Sequence, residues 1–228
     1  QDLAAKKYAF VKSGQSNNNG SYGNRGTSRS LWRNGVRVEW SYYYFTPVDK
    51  INITAIALSN SYYSGNIHGT ENVGGLVGYK EAGSVTNCYS YATLVEGRTH
   101  VGGLIGQMQG TEVGQILTLQ ANASINTTIS ATTANVGRIY GTKGNDYCTI
   151  GAMGSSQGNR ALTQTKVLLC GVLQEVTDDF QNGSSMGPTE LRLKATYVAS
   201  GWDFENDWTM LETECFPYKR YQAAPPVI

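Results

Sequence analysis

A six-residue block, Val73-Gly-Gly-Leu-Val-Gly78, returns as Val101-Gly-Gly-Leu-Ile-Gly106, an interval of 101 − 73 = 28 residues. Recurrence at a period of a few tens of residues marks a repeat architecture, in which neighbouring units bury an apolar face that none buries alone. The match extends upstream. Asn60-Ser-Tyr62 precedes the first block and Asn87-Cys-Tyr89 the second, each followed by an aliphatic residue, Ile67 or Val95. A looser third unit runs from Ile125-Asn-Thr-Thr-Ile129 to Val136-Gly-Arg-Ile-Tyr-Gly141, 136 − 101 = 35 residues on, so about seven residues are inserted on one face. A degraded fourth is read in Thr149-Ile-Gly-Ala-Met-Gly154.

Stacked rung over rung, such units align Val73 with Val101 and Val136, and Leu76 with Leu104 and Ile139. Glycines at both ends of each block suit close backbone approach or φ > 0, where a Cβ would clash. Successive strands would pair parallel, and the sense of parallel crossovers favours a right-handed coil. The expected fold is all-β: a right-handed parallel β-helix, or β-solenoid.

Charge narrows the partners. Eighteen basic side chains nearly cancel 17 acidic ones, and charged residues make up only 15 % of the chain. That leaves no basic footprint for nucleic acid and no polybasic membrane patch. No apolar run approaches the ~18 residues that span a bilayer. The 27 Gly and 15 Tyr fit a secreted, turn-rich β protein with a polar, uncharged surface. A start at Gln1 without Met, and an end at Ala223-Ala-Pro-Pro-Val-Ile228, read as a piece of a longer chain.

Four segments are expected. Residues 1–50 form an N-terminal strand and loop segment, with residues 1–12 undecided and a Gly/Asn/Ser/Arg-rich exposed loop over 13–30. A half-buried strand follows, because Val36, Val38, Trp40, Tyr42 and Tyr44 alternate with Arg37, Glu39, Ser41 and Tyr43. Residues 51–177 are the solenoid, opening on the alternating Ile51–Ile56. Residues 178–222 are a C-terminal cap and 223–228 a linker. Within the cap, Thr189 to Tyr197 reads as a short helix with Thr189 at its N-cap and Leu191, Ala195 and Val198 on one apolar face. With Trp202, Phe204, Trp208 and Phe216 it is expected to plug the open end of the coil, since open edges invite further pairing.

These residues carry a family resemblance. Gly75-Leu-Val-Gly78, Gly103-Leu-Ile-Gly106 and the Asn87-Cys-Tyr-Ser90 feature resemble the GLUG-motif repeats of bacterial surface proteins. The segment from Met186 through Gly201-Trp-Asp-Phe204 to Phe216-Pro-Tyr218 looks like the closing segment that follows such repeats. The likeness covers roughly residues 55–222 and implies architecture and a bacterial cell-surface location. The repeat also occurs in some immunoglobulin-cleaving zinc peptidases, so a peptidase must be considered.

The residues argue against one. A zincin needs two His one helical turn apart with an intervening Glu, whereas this chain has only His68 and His100, both beside glycine blocks. Adjacent rungs would have to bring them together to share a metal; the plainer reading is two solvent-facing turn residues. A nucleophile needs an oriented His partner, and G-x-S-x-G is absent. Cys88 fills the slot that Ser61 fills one unit earlier, so a packed, unpaired thiol is expected rather than a reactive one. Cys88, Cys148, Cys170 and Cys215 lack C-x-x-C spacing. Glycan-cleaving β-helix enzymes place acidic clusters on an outer face; here Glu71, Lys80, Glu81, Glu96, Arg98 and Glu112 all sit near turns, and only Glu71 with Arg98 and His100 approaches a cluster. Asp203-Phe-Glu-Asn-Asp207 lacks Ca²⁺-loop spacing and reads as a cap anchor. The Trp40–Phe45 aromatics and the polar tract 122–135, with sequons at Asn122 and Asn126, are candidate contact faces.

No residue is assigned a catalytic, cofactor or metal role, no cofactor is expected, and ligand-binding residues stay open. The expected function is a non-enzymatic, extracellular surface module, adhesive or structural, contacting glycans, host proteins or copies of itself through many weak contacts. The alternatives are a carbohydrate-active β-helix enzyme, lyase or glycosidase, and a subunit of a surface filament.

Overall fold

The computed structural model describes the strand backbone of residues 24–25, 29–33, 36–40 and 43–44, and residues 57–110 and 117–225 in full. The chain divides into two units, Gln1–Thr54 and Ala55–Ile228.

In the first unit, β1 (Asn24–Arg25) pairs antiparallel with β4 (Tyr43–Tyr44), and β2 (Arg29–Arg33) pairs antiparallel with β3 (Val36–Trp40). The strand expected from the Val36–Tyr44 alternation is present as β3 and β4. The loop expected over 13–30 gives way to strand at Asn24–Arg25 and Arg29–Ser30, because the backbone donors and acceptors of β3 and β4 need partners. The readings of residues 1–12 and Ile51–Ile56 fall outside the described residues.

In the second unit the chain runs through circuits. The first holds β5 (Ala57–Ser59), β6 (Tyr62–Ser64), β7 (Ile67–His68), β8 (Glu71–Gly74) and β9 (Val77–Lys80). The second holds β10 (Gly83–Thr86), β11 (Tyr89–Tyr91), β12 (Leu94–Gly102) and β13 (Ile105–Met108). The third holds β14 (Leu117–Gln120), β15 (Ala123–Ser124), β16 (Thr128–Gly137) and β17 (Tyr140–Lys143). The fourth holds β18 (Cys148–Ile150), β19 (Arg160–Leu162), β20 (Lys166–Leu169) and its antiparallel partner β21 (Val172–Leu173), before β22 (Ser184–Met186).

Each strand pairs parallel with its counterpart one circuit on. Four sheets result, in the orders β5-β10-β14-β18, β6-β11-β15-β19-β22, β7-β12-β16-β20 and β9-β13-β17, with β8 pairing the second half of β12. The register keeps like over like: Val73, Val101 and Val136 form one column, and Leu58, Val85, Leu119 and Ile150 another. Val85, Leu104, Ile105, Leu117, Leu119 and Ile139 have no exposed surface; each such aliphatic side chain contributes about 1.5–3 kcal/mol by leaving water. The architecture is all-β, built from parallel sheets.

The glycine blocks mark where backbones nearly touch. A Cβ on Gly75 would lie 2.0 Å from the Gly103 carbonyl oxygen, and one on Gly103 would lie 2.0 Å from that of Arg138. In the third circuit the same slot carries Arg138, because the fourth circuit adds no strand to that sheet. Its guanidinium turns instead to Ser185 Oγ (3.0 Å), the Gly183 carbonyl (3.2 Å) and Asp178 (3.2 Å). The Gln181 carbonyl accepts from Ile139 N–H at 2.9 Å, standing in for the missing strand. The Thr149–Gly154 reading is thereby corrected: Cys148–Ile150 pairs with Leu117–Leu119 and belongs to the first sheet, not to a glycine block. The insertion in the third unit is located too. Eight residues link β13 to β14 where two link β9 to β10, and a bulge at Gly97/Thr99 accounts for one more.

The C-terminal segment departs from expectation in two ways. First, the helix is broken: a 3₁₀ turn (Glu190–Arg192) is separated from α1 (Lys194–Val198) by Leu193 in extended conformation, φ −105° and ψ 129°. Leu191 and Tyr197 are its buried residues, whereas Ala195 and Val198 face solvent. Second, the cap covers a flank and not an end. Trp202, Phe204, Trp208 and Phe216 pack on Tyr89, Ala123 and Ile125 of the second sheet, with Tyr62, Tyr91 and Met186 at the margin. Strand side chains alternate between faces; Ser90 and Ser124 turn toward the core, so Tyr89 and Ala123 turn outward, where an aromatic column needs a cover. Trp202 Nε1 donates to the Ala121 carbonyl at 3.0 Å, Asn87 Nδ2 to that of Gly201 at 3.3 Å, and the Tyr89 hydroxyl to that of Pro217. The antiparallel pair β23 (Trp208–Thr209) and β24 (Tyr218–Lys219) completes this clasp.

Candidate functional site

The polar residues singled out from sequence are mostly spent on holding rungs together. His68 lies one circuit from Glu96, its Nδ1 2.8 Å from Glu96 Oε1, and Arg98 pairs with Glu71. His100 instead lies within β12 with a left-handed backbone, φ 54°, in a column with Asn72 (φ 53°) of β8 and Asn135 (φ 60°) of β16. Its Nδ1 is 2.7 Å from Thr142 Oγ1 and 3.2 Å from Asn135 Nδ2. The two histidines are thus engaged with separate partners, and His100 does not join the Glu71–Arg98 pair. Among the described residues no group of three or more His, Cys, Asp or Glu side chains is placed to hold a metal. Lys80 is not at a turn surface: it is 9 % exposed, and burial lowers its ammonium to about 8. Glu112 lies outside the described residues, as do the side chains of Trp40–Phe45.

Cys88 is fully buried, its thiol 3.1 Å from the Thr86 carbonyl, and burial pushes it up to about 12. All four cysteines are free. The sequon asparagines are interior. Asn122 donates to the Val85 carbonyl (2.8 Å) and accepts from Cys88 N–H (3.0 Å), and Asn159 repeats the pattern one circuit on. Asn126 donates to the Gly103 carbonyl at 2.9 Å. A folded chain offers neither Asn122 nor Asn126 to a modifying enzyme. Asp203 accepts from Glu205 N–H, Asn206 N–H and Asn206 Nδ2 at 2.8–2.9 Å, so its carboxylate anchors a turn, as the cap reading requires.

A concave site lies among the described residues. Where the clasp returns to the first circuit, a cleft of about 290 Å³ opens between β6 and the β24 end, its walls including Asn60, Tyr63, Lys219, Tyr221 and Gln222. Tyr63 is 44 % exposed although its column continues as Ser90, Ser124, Ala161 and Ser185; the first circuit leaves room for a ring where later ones hold a small side chain against the glycine backbone. Tyr221 is 84 % exposed. Asn60 adopts φ 48° in a column with Asn87 and Ala121, and its Oδ1 is buried without a hydrogen-bond partner. Lys219 Nζ sits 4.3 Å from the centroid of the Trp208 ring and 3.7 Å from Asp207 Oδ1. Sequence reasoning missed this site. The available signals were a lone tyrosine in an otherwise Ser/Ala column and the aromatic-basic run Tyr218-Lys-Arg-Tyr221.

The fold and its repeats define an all-β chain of in-register parallel strands with an aromatic clasp. Residues 69–94, from the β7–β8 turn to the start of β12, match the model of the GLUG motif. Among solved structures, a similar one is a crystal structure from Bacteroides ovatus provisionally named an immunoglobulin A1 protease, with TM-score 0.52 and 19 % identity. The likeness covers 73 % of this chain and 58 % of that one, so this chain spans less than two thirds of the neighbour's length. At that identity the likeness is one of fold. No curated protein matches the chain.

Proposed function

We propose that residues 51–177 form a right-handed β-solenoid that, with its 178–222 cap, serves as a non-enzymatic contact module of a bacterial cell-surface protein, adhesive or structural, contacting glycans, host proteins or copies of itself outside the cell. The observation that carries this reading is the cleft of about 290 Å³ beside the first circuit, whose lining includes the exposed Tyr63 and Tyr221. Recognition sites commonly combine aromatic walls with a few placed polar groups. The rung register supports the solenoid, and the sense of parallel crossovers supports its right hand. The GLUG match supports the surface setting. Pairing of His68 with Glu96 and of Glu71 with Arg98 supports a structural use of the charges that an enzyme of this architecture would deploy.

A second reading, an enzyme, draws on the name carried by the Bacteroides ovatus neighbour. One experiment addresses both. The purified chain is screened against immobilised glycans, extracellular-matrix proteins and immunoglobulin A1, and each incubation is examined for product. Binding without cleavage is the expected result; cleavage of any bound ligand would replace this reading with the second.

A further inference from the structure

We propose that Arg160 and Ser184, on adjacent rungs at the edge of the second sheet, form a site for one oxyanion, the sulfate, phosphate or carboxylate group of a larger ligand. The site is separate from the cleft: Arg160 lies three rungs, about 14 Å, from Tyr62 in the same column.

The outward column of that sheet runs Tyr62, Tyr89, Ala123, Arg160, Ser184, so a guanidinium follows two aromatic rings and a methyl group. Arg160 is 8 % exposed, yet among the described residues no carboxylate pairs with it. Arg138 and Lys219, the comparable cations, have Asp178 and Asp207. The guanidinium makes one hydrogen bond, from Nη1 to the Gly158 carbonyl at 3.4 Å, longer than the usual range of roughly 2.7–3.2 Å. Nε and Nη2 have no protein partner among the described residues, and neither is sealed from solvent as Arg138 Nε is. The head of the side chain thus reaches water while its stem is buried. A buried cation without counter-charge is costly, and burial holds this guanidinium below its ordinary value, with the Tyr197 phenol working the other way.

Ser184 supplies the second group. It is the in-register partner of Arg160, so both side chains leave the same face of the sheet. Ser184 is half-buried, and its hydroxyl is bonded to no protein atom among the described residues. β22 is the last strand of its sheet, so no described strand lies beyond the pair. The Nε–H and one Nη2–H form the parallel pair of donors that fits two oxygens of one anion, and the hydroxyl adds a third donor. The carboxylate on the same strand does not compete. Asp178 binds Ser185, whose side chain leaves the opposite face, and is paired with Arg138. A lone guanidinium suits a single anionic group, since the near-neutral chain offers no basic track for a polyanion.

The test is an NMR titration of the full chain with sodium sulfate, phosphate and acetate, each against sodium chloride at matched ionic strength. The Arg160 Nε–H and Ser184 amide resonances are followed. Saturable shifts are expected with at least one oxyanion, Kd on the order of 1–10 mM, and no saturation with chloride. The anion that binds most tightly identifies the group: sulfate, phosphate or carboxylate. Arg160→Gln should remove the saturable shift at Ser184, and Arg160→Lys should weaken it by about fivefold or more, because an ammonium lacks the fork. Ser184→Ala should weaken binding at Arg160 by about three- to tenfold with the unfolding midpoint unchanged, and it carries the test if Arg160→Gln fails to fold. Resonances that do not move, that move equally with chloride, or an unchanged Kd in Ser184→Ala overturn this proposal. None of these outcomes bears on the cleft, so the contact-module reading stands or falls on its own screen.

Discussion

The Tyr62 hydroxyl, in the first circuit, lies 2.8 Å from Gln222 Oε1 and 2.6 Å from Gln222 Nε2, across 160 residues of sequence. Tyr62 also stacks on Tyr89 with ring centroids 4.8 Å apart and planes 3° from parallel. One face of that aromatic column is rung, the other is clasp. The clasp therefore binds first, second and third circuits together as well as covering them.

Removing its anchor should show this. Trp202 is 3 % exposed, packs 4.7 Å centroid to centroid from Trp208, and donates to the Ala121 carbonyl. Trp202→Ala is expected to cost about 3–5 kcal/mol, a large part of the ~5–15 kcal/mol that holds a domain folded. Denaturant unfolding against Tyr221→Ala, expected within about 0.5 kcal/mol of the parent, measures the difference.

The rung contacts set a second expectation. A Cβ at position 103 would press on the Arg138 carbonyl and Ser124 Oγ, whereas at Gly187 it meets only Glu190 Oε2 at 3.4 Å. Gly103→Ala should abolish a cooperative thermal transition and Gly187→Ala should preserve it. Leu104→Asp, with no exposed surface, should likewise fail to fold, since an unpaired buried carboxylate costs several kcal/mol. Leu76→Asp should be milder, because Leu76 is only half-buried.

Cys88 stands where the next two circuits have Asn122 and Asn159, whose amides reach the Val85 and Leu119 carbonyls. The corresponding acceptor for position 88 is the Leu58 carbonyl, 3.6 Å from the thiol. Cys88→Asn should extend the ladder and leave stability within about 1 kcal/mol of the parent. In the native chain, thiol titration at pH 8 should label exposed Cys170 rapidly and buried Cys88 only on unfolding.

Asp178 gives a pH dependence with a definite sign. Partial burial works against its charge, but two hydrogen bonds from Ser185 and the pairing with Arg138 overcome this and hold its carboxyl below the usual 3.8. A depressed folded-state value means stability present above 3.8 and lost as pH falls through the folded value. Asp178→Asn should lower the unfolding midpoint at pH 7, and the gap should close progressively below pH 3.8. A constant gap down to pH 2 would show that the charge is not what Asp178 contributes.

Much of this was legible from residues. The Val73/Val101/Val136 column and the Leu104/Ile139 core follow from the repeat interval alone, because glycine blocks appear only where backbones nearly touch. The fourth circuit was not legible: its sheet position is taken by Gln181 and the Arg138 side chain, which carry no repeat signature. The asparagine ladder was masked by Ser61 and Cys88 in the early units. The clasp's aromatic content was evident, but its place on the flank was not. The clue was Tyr62, Tyr89 and Tyr91 at outward positions, where an uncovered sheet would carry polar groups. The cleft depends on where a distant C-terminal run returns, and no local pattern encodes that.

The clasp has one more consequence. Parallel rungs are about 4.8 Å apart, and this segment is anchored at Ala121 by Trp202 and at Tyr62 by Gln222, with a fixed length of chain between. A duplication that inserted one more circuit would carry Tyr62 a further rung away from its partner and break the stack of tyrosines under it. The segment works as a measuring tape: it sets how many turns the pile may have, and a lineage that lengthens the repeat must lengthen the tape in the same step.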